Sequence, residues 1–139
     1  MANQQSSAGT TAGVAEAVSV LIVEDSADDA ELVLRELLVG GFHPTAERVY
    51  DAESMRRALQ AGSYDVVISD YAMPRFSAPR ALEIDKEHDP DLPFVAISGT
   101  VGEETAVELM RAGADNYVMK DRLARLAPAV RLALDRAAE

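Results

Sequence analysis

Ser63-Tyr-Asp-Val-Val-Ile-Ser-Asp-Tyr-Ala-Met-Pro74 is a short apolar run that delivers one carboxylate, Asp70, to a point where the chain must turn. Val66, Val67 and Ile68 are β-branched and uninterrupted by polar residues, the pattern of a central strand buried on both faces of a parallel sheet. Ser69 and Asp70 then fall at its carboxyl end, the edge at which open α/β sheets bind ligands. A lone Asp at that place serves equally well as a turn former or helix cap.

A second run alters that balance. Val18 to Val23 is also β-branched and ends directly in Glu24, Asp25 and Ser26, with Asp28 and Asp29 close behind. If the two strands are parallel neighbours, their acidic ends converge. Carboxylates so close repel one another and raise at least one pKa unless a cation neutralises them. A hard divalent ion with oxygen ligands meets that need, and Mg²⁺ is favoured because it takes few protein carboxylates and keeps several waters. Asp25 is read as part of such a site, whereas Asp28 and Asp29 are read as the acidic first turn of a helix, favoured by its dipole.

The chain has 139 residues, 48% of them hydrophobic, enough for one domain with a sizeable core and little more. Its net charge of −11 argues against a nucleic-acid backbone or an anionic membrane surface as direct partner. There is no cysteine, hence no disulfide, thiolate metal site or thiol nucleophile, which is compatible with a reducing cytoplasm. No apolar run approaches membrane-spanning length, and the polar amino terminus lacks the apolar core of a signal peptide.

In chain order, residues 1–17 are rich in Ala, Ser, Gln, Gly and Thr without periodicity, which predicts a disordered arm ahead of a domain over 18–138. Ser26 is placed to cap a helix with Ala30, Val33, Leu34, Leu37 and Leu38 inward, ended by Gly40 and Gly41. Thr45 to Tyr50 reads as a polar edge strand, and Asp51 or Ser54 starts a helix that buries Met55, Ala58 and Leu59 before Gly62. A third helix carries Ala81, Leu82 and Ile84, and Phe94 to Ile97 is the fourth strand. Gly102 to Ala112 is the next helix, with Ala106, Leu109 and Met110 inward and Gly113 as its cap. Asp115 to Met119 is the fifth strand, and the last helix becomes regular from Pro128. Strands alternating with helices predict a parallel sheet covered on both faces.

Each strand end now carries a candidate. The first offers Glu24 and Asp25, the third Asp70, the fourth Ser98 followed by Gly99, and the fifth Lys120. Phosphoryl chemistry uses such a set: carboxylates for a metal, an acyl nucleophile, and donors for the phosphoryl oxygens. Lys120 supplies a positive charge, Ser98 a hydroxyl and Gly99 an unobstructed backbone N–H.

These residues resemble the receiver domains of bacterial two-component response regulators. The resemblance rests on Glu24-Asp25, on Asp70-Tyr-Ala-Met-Pro74, on Ser98 and on Ala112-Gly-Ala-Asp-Asn-Tyr-Val-Met-Lys120. It implies a flavodoxin-like (βα)5 fold with strand order 2-1-3-4-5. It also implies that Asp70 accepts a phosphoryl group from the phosphohistidine of a sensor histidine kinase, with Mg²⁺ held by Asp25, Asp70 and the backbone carbonyl of Ala72 and with Glu24 acting through a bound water. Ser98, Gly99 and Lys120 would meet the phosphoryl oxygens, and Tyr117 would change rotamer with Ser98. The wording Ser98-Gly-Thr-Val-Gly-Glu-Glu and Lys120-Asp-Arg-Leu looks like receivers associated with sensor kinases. Three positions depart from the family pattern: Ala78 stands where Gly is usual, Asp121 where Pro is usual, and Glu24 where Asp is more frequent.

Other classes fit less well. A phosphatase of the haloacid dehalogenase type would carry a second acid two residues after the nucleophile, where this chain has Ala72. A flavin carrier needs a phosphate-cradling loop after the first strand, where Glu24-Asp-Ser-Ala-Asp-Asp29 repels phosphate. A receiver-like interaction module that ignores phosphate would lack a site residue, and all are present. After Lys120 only residues 121–139 remain, too few for an effector, so a stand-alone, non-enzymatic cytoplasmic receiver is expected. Its output would pass to a protein partner or a second copy through the face of the fourth helix, fifth strand and last helix. There Val107 and Tyr117 are expected beside Arg122, Arg125, Arg131 and Arg136.

Overall fold

The computed structural model describes residues 15–99 and 102–139. Five strands alternate with helices: β1 (Glu16–Val23), α1 (Ala27–Val39), β2 (Phe42–Val49), α2 (Ala52–Ala61), β3 (Val66–Asp70), α3 (Ala78–His88), β4 (Phe94–Ser98), α4 (Glu103–Arg111), β5 (Asn116–Met119) and α5 (Leu126–Ala138). A 3-10 helix, Lys120–Arg125, links β5 to α5. The sheet is parallel throughout in the order β2-β1-β3-β4-β5, the flavodoxin-like arrangement.

Alternation along the central strands builds two cores. Leu21, Val23, Val67, Phe94 and Ala96 face one side, where α2, α3 and α4 bring Met55, Leu59, Leu82, Ile84 and Leu109. Val20, Ile22, Val66, Ile68, Val95 and Ile97 face the other, covered by Val33 and Leu37 of α1 and Leu126 and Val130 of α5. Every residue of β3 and β4 is buried, as the uninterrupted β-branched runs require. Fully burying one such side chain is worth about 1.5–3 kcal/mol, so these strands anchor the domain and set the height at which their last residues emerge.

Local signals fix the ends. The Ser26 hydroxyl accepts from the Asp29 N–H at the start of α1. Asp51 and Ser54 form a reciprocal capping box on α2. Gly113, just past α4, has φ +120°, where a side chain would be strained. At Gly40 a Cβ would fall 2.1 Å from the Cβ of Ala127, so the end of α1 approaches α5 as closely as only glycine permits.

Several expected details shift. Residues 1–14 of the expected arm, and Thr100 and Val101 of the Ser98-Gly-Thr-Val motif, lie outside the described residues. Residues 16 and 17 belong to β1 rather than the arm: Ala17 pairs with His43, and the Glu16 N–H donates to the Gly41 carbonyl at 3.0 Å. Their side chains are exposed, so no apolar pattern marks them. Leu38 and Met110 are 54% and 42% exposed instead of inward. Leu37 and Leu109 take the core positions, and the neighbours lie about 100° around each helix, beyond the narrow stripe the sheet covers. Helix α5 begins at Leu126, and Pro128 sits within its first turn, where its missing N–H has no helical partner to lose.

Candidate functional site

Strand register gathers the candidate residues at one edge. Val23 pairs with Ser69, Asp70 with Ile97, and Ser98 with Met119, so Glu24, Asp70, Ser98 and Lys120 emerge at the same level of the sheet. One carboxylate oxygen from each of Glu24, Asp25 and Asp70 lies within 4.8 Å of the others. Glu24 and Asp70 are buried at 4% and 8% exposure, while Asp25 opens to solvent. Three hard oxygen donors so placed fit an ion such as Mg²⁺.

The Lys120 ammonium reaches into this group. Its Nζ lies 3.1 Å from Asp29 Oδ2, 3.4 Å from Asp70 Oδ1 and 3.8 Å from Glu24 Oε1. Burial pushes Glu24 up to about 7, with the nearby Asp70 charge adding, against the Ser26 N–H bond and the Lys120 charge. Asp70 is likewise raised by burial, opposed chiefly by Lys120. For Lys120 burial works downward, but the Asp29 hydrogen bond and the Asp70 and Glu24 charges outweigh it and raise the pKa.

The surrounding backbone is tied down. The Ser69 hydroxyl donates to the Asp70 carbonyl at 3.0 Å, and the Tyr71 N–H donates to the Ile97 carbonyl at 2.8 Å. The Ala78 N–H closes the loop by donating to the Tyr71 carbonyl at 3.1 Å. Ala78, standing where glycine was the family expectation, opens α3 with its methyl fully buried. Ala72 sits exposed in the loop between Asp70 and α3. No peptide bond among the described residues is cis, and Lys120 reaches Asp70 with Asp121 after it.

Ser98 is buried at the end of β4, and Gly99 follows alongside the Lys120 side chain, 3.9 Å from its Cδ to a would-be Cβ. Tyr117 pairs in register with Ala96, two residues before Ser98, so Ser98 and Tyr117 share one face of adjacent strands. Tyr117 is half-buried against the α2–α3–α4 core and borders an open apolar groove with Ala106, Val107 and Met110.

Two of the arginines expected on that output face are held in ion pairs. Arg131 bonds Glu16 at 2.6 Å and stacks over Phe42 at 4.4 Å, which directs it toward the β2 edge. Arg136 bonds Asp115 at 2.5 Å, whose other oxygen accepts the Phe94 N–H. Arg122 and Arg125 are solvent-exposed. Two further residues join the site: Asp29, in the first turn of α1, is 3.1 Å from the Lys120 ammonium, and Arg48 contacts the Glu24-Asp25 backbone. Neither role has a local sequence signal.

A family model described as the response regulator receiver domain matches residues 20–131. The chain belongs to this family. It is similar to the response regulator protein FleR of Pseudomonas aeruginosa, 34% identical over 109 residues, covering 78% of this chain and 23% of the relative. It is 31% identical to the uncharacterized transcriptional regulatory protein YcbL of Bacillus subtilis, covering 86% of this chain and 54% of the relative. The receiver thus spans about half or less of these relatives. Among solved structures, NtrX from Brucella abortus in complex with ADP matches with a TM-score of 0.77 and 30% identity, over 88% of this chain and 28% of that one. The signal receiver domain of a signal transduction histidine kinase from Syntrophus aciditrophicus matches with a TM-score of 0.71 and 25% identity, over 86% and 91%.

Proposed function

We propose that this receiver is a phosphoacceptor switch: Asp70 takes a phosphoryl group from the phosphohistidine of a sensor histidine kinase, and the phosphorylated form signals through protein contacts. The observation that carries the reading is the Lys120 ammonium 3.4 Å from Asp70 Oδ1, beside carboxylate oxygens of Glu24 and Asp25. Asp25, Asp70 and the Ala72 carbonyl would hold Mg²⁺, with Glu24 acting through a water. The ion supplies positive charge that relieves the carboxylate repulsion and draws charge from the transferred group.

The chain's own residues divide the remaining work. An ionised Asp70 oxygen attacks phosphorus as the P–N bond breaks, and the imidazole leaves neutral with that electron pair, its other ring nitrogen keeping its proton. Lys120 favours the ionised Asp70 and then pairs with a phosphoryl oxygen. Ser98 and the Gly99 N–H donate to the remaining oxygens. Asp70 is consumed rather than regenerated in the step, so the protein is a phosphoacceptor with at most slow self-dephosphorylation, not an enzyme in the usual sense. Ala72, where a phosphatase of the haloacid dehalogenase type has its second acid, carries no carboxylate.

With a kinase donor the protein would work in the cytoplasm, and its charge of −11 favours protein over nucleic-acid partners. The groove of Ala106, Val107, Met110 and Tyr117, on the α4–β5–α5 side, is the proposed output surface for a downstream protein or second copy. Incubation with Mg²⁺ and a small phosphodonor should add one phosphoryl group, read by intact mass and removed by hydroxylamine. Asp70→Asn should block the addition; equal labelling of that variant would reject the reading.

A further inference from the structure

We propose that Arg48 is a positioning residue of the cation site, holding the Glu24–Asp25 backbone so that the Asp25 carboxylate faces Glu24 and Asp70. The inference rests on the phosphoacceptor reading for its purpose, but its geometry stands by itself. Arg48 lies next to the end of edge strand β2, in register with Ile22 of β1. Its Nη1 donates to the Glu24 carbonyl at 3.1 Å and to the Asp25 carbonyl at 3.4 Å, the second bond the weaker. Its guanidinium carbon lies 5.8 Å from the centre of the Tyr50 ring, within the range of a cation–π contact.

These contacts occur where the chain leaves the sheet. The Glu24 N–H still bonds the Val49 carbonyl at 2.9 Å, and the Ser26 N–H bonds Glu24 Oε2 at 3.2 Å. Between them Asp25 is exposed and outside regular structure. Arg48 adds a side-chain tie from β2 to this segment, beyond the backbone bond between Glu24 and Val49, and carries it one residue further to the Asp25 carbonyl. A guanidinium suits this task because it is planar and permanently charged, reaching both carbonyls through Nη1 with the Tyr50 ring centre 5.8 Å from its carbon, whereas a lysine ammonium is a strongly hydrated point charge on a flexible stem. Holding the ligand-bearing backbone before the ion arrives reduces what binding must spend on ordering it.

The alternative is that Arg48 only offsets the acidic cluster. The two roles predict opposite signs. Removing a positive charge near a cation site relieves repulsion and tightens Mg²⁺ binding, while removing a tether loosens the ligand and weakens it. The test is Arg48→Met and Arg48→Lys in the full chain, with Mg²⁺ affinity from NMR titration and ¹⁵N relaxation of the Asp25 and Ser26 amides without Mg²⁺.

Arg48→Met should weaken Mg²⁺ binding by about tenfold and lower the order of both amides, with Arg48→Lys intermediate. Unchanged or tighter binding with unchanged amide order would overturn the proposal. A wild-type protein that binds no Mg²⁺ would instead overturn the phosphoacceptor reading, and the amide order of the Mg²⁺-free variant would still decide whether Arg48 holds the segment.

Discussion

The ammonium of Lys120 stands 3.4 Å from the Oδ1 of Asp70, and Asp29 shares it through a hydrogen bond of 3.1 Å. Lys120→Gln should therefore raise the Asp70 pKa further, because the largest opposing influence is gone, and slow phosphoryl uptake by about tenfold or more. Asp29→Asn should lower the Lys120 pKa while leaving uptake within about threefold. Heteronuclear NMR titration and intact-mass time courses measure both. Equal rates in wild type and Lys120→Gln would remove Lys120 from the chemistry.

Mg²⁺ should stabilise the fold. A ligand bound only by the native state adds about 2.7 kcal/mol at a free concentration one hundred times its Kd, visible as a rise in Tm. Asp25→Asn, which removes one of the three clustered carboxylates, should abolish most of that increment. An undiminished Mg²⁺ response in this variant would place the ion elsewhere.

Asp85 should govern part of the pH dependence of stability. It is fully buried in α3, neither carboxylate oxygen has a hydrogen-bond partner among the described residues, and the Lys86 Nζ forms an ion pair with Oδ2 at 3.3 Å. Burial pushes its pKa up to about 7, with Asp115 and Asp89 adding to the rise and Lys86 opposing it. The folded value exceeds the ordinary 3.8, so the native state holds the extra proton between the two. This contribution is complete below about pH 4 and is lost as pH rises through about 7. In Asp85→Asn the stability difference between about pH 4.5 and about pH 8 should shrink by on the order of 3 kcal/mol. Glu24 titrates with the same sign and remains in the variant. Denaturant unfolding across that range decides the matter, and an unaltered slope would mean that the fold does not raise the Asp85 pKa.

Ser98 and Tyr117 share a sheet face two residues apart in register, which links the site to the apolar groove. Ser98→Ala should leave uptake at Asp70 largely intact. It should also reduce the NMR shift changes at Tyr117 and along α4 when beryllofluoride is added as a phosphoryl mimic. Full-sized changes in the variant would show that the hydroxyl is not the trigger.

What the sequence revealed follows from the range of the forces involved. The β-branched runs ending at Val23, Ile68 and Ile97 are read from adjacent residues, and in a parallel sheet they align their own ends. Glu24, Asp70, Ser98 and Lys120 could thus be brought together before any coordinates. The Asp29–Lys120 contact joins residues 91 apart and the Arg48–Glu24 contact residues 24 apart. Such pairings depend on the final packing and leave no local pattern. Arg131 shows the same limit from the other side: helical spacing gave its helix, but not that Glu16 and Phe42 would engage it at the far edge of the sheet.

The central claim is that Asp70 carries the phosphoryl group, and borohydride trapping tests it at the residue itself. After incubation with Mg²⁺ and a phosphodonor, reduction should convert the acyl phosphate to homoserine, and peptide mass spectrometry should find homoserine at position 70. Homoserine at Asp25 or at another acid, or a stable phosphoryl group resistant to reduction, would contradict the account.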